Sequence, residues 1–186
     1  MCRTFSGVIK QDEEIIMSDY TDTHGYIILA NGLKESSLVM QGKNGWARFE
    51  YYGRNLCDIK TYKLTIDEST IPDWLTDEVK ERLTKRLKEI VKKKILTKGK
   101  IPILLGGKWI LGGNVIVEKA VGANIILMHG KAKVGVLREN SQVGVLWGNS
   151  QVGVLRENSR VGELWGNSRV GELWGNSRVI KDNRIK

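Results

Sequence analysis

The sequence predicts a mainly β protein with one long helix. A small α+β N-terminal domain (residues 1–97) leads through a Gly-rich connector (98–115) into a short C-terminal β-solenoid (116–186) of about 18 residues per coil. Three observations carry this: an exact nine-residue repeat, a four-residue apolar spacing before it, and short β-prone runs separated by turns before that.

From Val134 the chain reads VGVLRENSQ, VGVLWGNSQ, VGVLRENSR, VGELWGNSR, VGELWGNSR, then begins a sixth unit at Val179 that dissolves into IKDNRIK. Ile125 to Lys133 fits the frame loosely, and the stretch from Ile116 reads as a degenerate first unit. The first position is always Val (134, 143, 152, 161, 170) and the fourth always Leu (137, 146, 155, 164, 173), so these are the expected core positions. The third changes from Val136, Val145 and Val154 to Glu163 and Glu172, and an unpaired buried carboxylate is strongly disfavoured, so this position faces solvent. Asn followed by Ser supplies the turn, because Asn tolerates left-handed geometry and both side chains bond nearby backbone.

Nine residues are too few to close a coil around a packed interior, but two units make an 18-residue turn. REN and WGN alternate, which sets Trp147 under Trp165 and Arg138 under Arg156, with stacked indoles adding about 0.5–1.5 kcal/mol per contact. Trp174 breaks the alternation, and tandem duplication alone also accounts for the pattern. The Asp-rich loop of calcium-binding nonapeptides is absent, so no cofactor or metal is expected. About three and a half coils are expected, ending in a polar tail. An uncapped solenoid end exposes backbone groups, so either that tail caps it or two copies abut as a homodimer.

In the N-terminal part, Phe5 to Ile9, Glu14 to Met17, Tyr26 to Leu29, Trp46 to Tyr52 and Tyr62 to Ile66 read as strands of a small antiparallel sheet. Thr76 is the expected N-cap of a helix, with Asp77 and Glu78 in its first turn. Leu75, Val79, Leu83, Leu87, Val91 and Ile95 then mark an apolar stripe about five turns long.

The net charge of +9 is unevenly spread. Residues 1–78 hold 8 basic and 13 acidic side chains, residues 79–108 hold 11 and 2, and residues 109–186 hold 11 and 6. The central excess lies on the helix: Lys80, Arg82, Lys85, Arg86, Lys88, Lys92 and Lys93 are candidate binding residues. Such a face suits a phosphate backbone, an acidic protein surface, or the acidic sheet beside it. The second candidate surface is the solenoid wall, with Arg138, Arg156, Arg160, Arg169 and Arg178 among Trp147, Trp165 and Trp174, since Arg and Trp are enriched at interface hot spots. These types are also ordinary on a repeat exterior.

No run of about 18 apolar residues exists and the first residues lack the order of a secretory signal, so a cytoplasmic, non-membrane protein is expected. Cys2 and Cys57 lack C-x-x-C spacing and a His cluster, which points away from disulfides and zinc. Cys2 would become the N-terminal residue on loss of Met1 and could then act as an amidotransferase-type nucleophile, but no motif links it to His24 or His129. His24 reads as a loop or strand-edge histidine and His129 as a surface one. No catalytic residue is expected.

The opening MCRTFSGVI, the ARFEYY segment, KLTIDESTIPDWLTDE before the charged helix, GGKWIL and the V-x-x-L-x-G-N-S repeats resemble a family of bacteriophage-encoded proteins of uncertain function. The resemblance covers nearly the whole chain, and its motifs are family markers rather than catalytic signatures. It implies a non-enzymatic, anti-CRISPR-like inhibitor in the host bacterial cytoplasm, expected to bind and block a host protein or ribonucleoprotein defence complex through the basic helix and the solenoid wall together. Direct binding of RNA or DNA is the alternative.

Overall fold

The computed structural model describes residues 5–19, 23–34 and 43–184, and the chain divides into two compact units, Met1–Lys92 and Lys93–Lys186.

The first unit holds a four-stranded antiparallel sheet, in the order β2-β1-β3-β4, formed by β1 (Phe5–Lys10), β2 (Ile15–Met17), β3 (Trp46–Gly53) and β4 (Tyr62–Ile66). Four of the five predicted runs are therefore strands. The fifth is not: Tyr26 to Leu29 lie in a helix, α1 (His24–Ala30), which buries Ile27 and Ile28 against Val8 and Trp46 and leaves Tyr26 and Leu29 exposed. An apolar run of four residues carries no period that separates a strand from one helical turn.

Helix α2 (Asp77–Lys92) begins where expected, with the Thr76 hydroxyl accepting from the Val79 amide at 3.4 Å. Leu83, Leu87 and Val91 are fully buried, and α2 packs on β4. The predicted stripe overran its end, because Ile95 belongs to a strand of the second unit, β5 (Ile95–Leu96).

That second unit is a β-solenoid of about five turns with two parallel sheets. The remaining strands are β6 (Lys100–Leu105), β7 (Lys108–Leu111), β8 (Ile116–Val121), β9 (Asn124–Met128), β10 (Lys133–Arg138), β11 (Gln142–Leu146), β12 (Gln151–Leu155), β13 (Arg160–Leu164), β14 (Arg169–Leu173) and β15 (Arg178–Asp182). One sheet runs β14-β12-β10-β8-β6, the other β15-β13-β11-β9-β7-β5. The expected connector is thus itself part of the solenoid: Lys100 pairs with Ile116 and Trp109 with Ile125, an offset of 16 residues. From Asn124 onward the offset is 18, as Val134 pairs with Val152 and Val143 with Val161. The first coils escaped notice because they keep the apolar spacing and lose the repeat's wording.

The core follows the predicted register. Val134, Val143, Val152 and Val161 and Leu137, Leu146, Leu155 and Leu164 are each at most 2% exposed. Positions two and three of each unit turn outward. Glycine at position two is forced by coil stacking, since a Cβ on Gly153 would sit 2.6 Å from the Gly135 carbonyl oxygen of the neighbouring coil. The left-handed residue of each turn is not Asn but the one before it: Glu139 (φ 59°), Gly148, Glu157 (φ 61°), Gly166 and Gly175. The serine expectation holds, with Ser141, Ser150 and Ser159 buried and their hydroxyls donating to backbone carbonyls, as Ser150 does to Trp147 at 2.8 Å.

The last coil departs from the prediction that every repeat Leu is buried. Leu173 is 51% exposed because no further described strand covers β14. On β15, Asp182 occupies the inward Leu position, pairs with Arg184, and Arg184 also donates to the Ser168 carbonyl at 3.2 Å. Charge at a sheet edge disfavours pairing with another chain, and the Asp182–Arg184 pair places charge on the β15 edge.

Candidate functional site: the solenoid wall and the basic helix

Stacking by 18 residues sorts outward side chains into columns, because equal positions in alternate units lie on the same sheet. At position five, Arg138, Arg156 and Trp174 lie at the ends of strands of the five-stranded sheet, whereas His129, Trp147 and Trp165 lie at the ends of strands of the six-stranded one. Trp147, Trp165 and Trp174 are 53%, 41% and 57% exposed.

The columns form as expected, but the indole-on-indole stack does not. The ring contact in that column is between His129 and Trp147, 5.1 Å between centroids. Trp165 instead turns its Nε1 to donate to Glu163 at 2.7 Å, and Trp174 does the same to Glu172. A hydrogen bond to a carboxylate outweighs an exposed stacking contact. The third-position change from Val to Glu and the Trp beside it are therefore one device, which fixes two exposed indoles. Across the other column Arg138 pairs with Glu157 at 3.0 Å, whose carboxyl it holds below the usual carboxylate range, and the Arg156 guanidinium lies 5.7 Å over the Trp174 ring. Trp174, which breaks the alternation in sequence, thereby gains a cationic neighbour.

The predicted wall residues do not form one patch. Position nine makes separate columns, Lys133, Gln151 and Arg169 on the five-stranded sheet and Gln142, Arg160 and Arg178 on the other. Lys133, Gln151 and His129 are absent from the sequence-based wall, although reading the repeat at period 18 places each in its column.

On α2, part of the basic face is satisfied inside its own unit. Arg82 pairs with Glu13, and Arg86 donates to the Glu13 carbonyl at 2.7 Å. The Arg82 hydrogen bond holds the Glu13 carboxyl below its ordinary range. Lys80 pairs with Asp77 at 3.0 Å. Lys85, Lys88 and Lys92 are exposed, and Lys93 lies beyond the helix end. Of the three uses weighed for this face, the acidic neighbour in the same unit accounts for Arg82 and Arg86.

His24 is not at a strand edge: it opens α1 and is buried, with Nε2 2.9 Å from the Phe49 carbonyl oxygen and Nδ1 3.3 Å from the Asp67 carboxylate. Cys2 lies outside the described residues. Burial pushes the Cys57 thiol up. Among the described residues no group of three or more His, Cys, Asp or Glu is placed to hold a metal, and no helix is long and apolar enough to cross a membrane. No protein-family model matches the chain, and comparison with curated proteins and with solved structures finds no match.

Proposed function

We propose that this chain is a non-enzymatic binding protein, a phage-encoded inhibitor of the anti-CRISPR kind, that engages and blocks a bacterial defence complex through its solenoid wall. The supporting observation is the set of Trp147, Trp165 and Trp174, half-exposed and held in place by Glu163, Glu172, His129 and Arg156. Preorganised aromatic anchors beside arginine lose little side-chain entropy on binding, which is what an interface hot spot requires. The repeat architecture supports the same reading, since a stack of coils presents a long rigid face. The defence target rests on the resemblance to phage-encoded proteins.

The alternative, direct nucleic-acid binding, rests on Lys85, Lys88 and Lys92 of α2. Capture from a bacterial host lysate, with and without nuclease and over a salt series, separates the two. The proposal expects one host protein or complex to be retained after nuclease treatment. Retention only of mixed nucleic acid, lost steeply as salt rises, would overturn it in favour of the alternative.

A further inference from the structure

A groove of about 610 Å³ runs down the five-stranded face of the solenoid, across β8, β10, β12 and β14. Its floor is the glycine column Gly135, Gly153 and Gly171, where stacking forbids side chains. One wall is the column Lys133, Gln151, Arg169, and Glu118, paired with Lys100 at 2.7 Å, closes one end. Lys133 and Arg169 are exposed and carry no carboxylate partner among the described residues. This is an apolar trough with two uncompensated cations on one side and an amide between them.

Building on the binding-protein reading, we propose that this groove takes an extended acidic peptide of the partner in the polyproline II conformation, with carboxylates three residues apart. Lys133 and Arg169 stand two coils apart in one column, about 9.6 Å at the strand spacing of about 4.8 Å. A polyproline II helix repeats every three residues at about 3.1 Å each, so its side chains at i and i+3 share a face about 9.3 Å apart. A β-strand does not match: its same-face side chains lie about 6.8 Å or 13.5 Å apart. Polyproline II leaves its backbone groups unpaired, and the Gln151 amide, between the two cations, supplies both a donor and an acceptor for them. Single-stranded nucleic acid is held on aromatic stacking platforms, and no aromatic residue lines this groove.

The test is fluorescence anisotropy of the full chain with labelled proline-rich octapeptides, one carrying glutamates three apart, one two apart, and one with glutamines in their place. A single-stranded oligonucleotide of similar charge completes the set. The proposal expects the three-apart peptide to bind at least tenfold more tightly than the other two peptides. Lys133→Glu with Arg169→Glu should abolish that binding, while Lys181→Glu on the opposite sheet leaves it unchanged. Equal binding of the two-apart peptide, tighter binding of the oligonucleotide, or an equal loss in Lys181→Glu overturns it. If the octapeptides fail while a host protein is still captured, the groove assignment falls and the binding-protein reading stands.

Discussion

Leu155 and Leu173 are the same residue at the same repeat position, paired in register on neighbouring coils, yet Leu155 is 0% and Leu173 51% exposed. Truncating each to Ala therefore isolates burial from sequence context. Leu155→Ala removes three buried carbons, about 2.4 kcal/mol of transfer free energy at about 0.8 kcal/mol per methylene. The hole left between Leu137 and Leu173 cannot collapse, because backbone stacking holds the coils apart, so the total should reach about 3–4 kcal/mol. Leu173→Ala gives up only about half the transfer term and opens no closed cavity, about 1 kcal/mol. Urea unfolding of the two variants, followed by circular dichroism and tryptophan fluorescence, measures the difference. Equal losses, or a larger loss for Leu173→Ala, would refute the reasoning and show that something covers the last coil in solution.

Glu139 and Glu157 occupy left-handed backbone where other turns carry glycine, a conformation costing an L-residue about 1–2 kcal/mol. Glu139→Gly should thus stabilise the solenoid by about 0.5–1 kcal/mol in the same urea assay, once glycine's greater unfolded entropy is subtracted. Glu157→Gly should gain less, since its carboxylate pairs with Arg138 and accepts from the Glu139 amide. In the first unit, Arg82 lowers the Glu13 pKa in the folded state, so their contact stabilises above the ordinary carboxylate range and is lost as pH falls through the depressed value. NMR titration should find the Glu13 carboxyl below that of Arg82→Ala; identical titrations would remove the clasp from the account. At the solenoid end, Asp182→Leu with Arg184→Ala should turn β15 into an apolar edge whose light-scattering mass climbs with concentration, while the natural chain stays near 21.0 kDa. A concentration-dependent rise in the natural chain would restore the abutting dimer.

The solenoid was legible because its constraint is periodic: Val and Leu persist where the interior needs them, and Gly-to-backbone contact recurs at Gly135, Gly144, Gly153, Gly162 and Gly171. Its first turns were not, because coils of 16 or 17 residues built from Leu104, Leu111 and Val117 keep the packing without the wording. The positive φ in the turns was assigned to Asn rather than to Glu139 and Glu157, since propensity favours Asn while the strand's end sets the position. Helix α1 was hidden by its brevity. At the candidate site, residue types were legible but partnerships were not. Nothing in the spacing showed Glu13 reaching Arg82 and Arg86, 69 and 73 residues away, or Trp165 turning to Glu163.

The central claim, that the solenoid wall and not the basic helix holds the partner, is tested by one side-by-side capture experiment in a host lysate at physiological salt. Trp147→Ala with Trp165→Ala removes exposed indoles, and Lys85→Gln with Lys88→Gln removes exposed helix charges; none of the four is buried. The account predicts that the captured host protein falls at least tenfold for the tryptophan variant and by less than twofold for the lysine variant. The reverse pattern would contradict it.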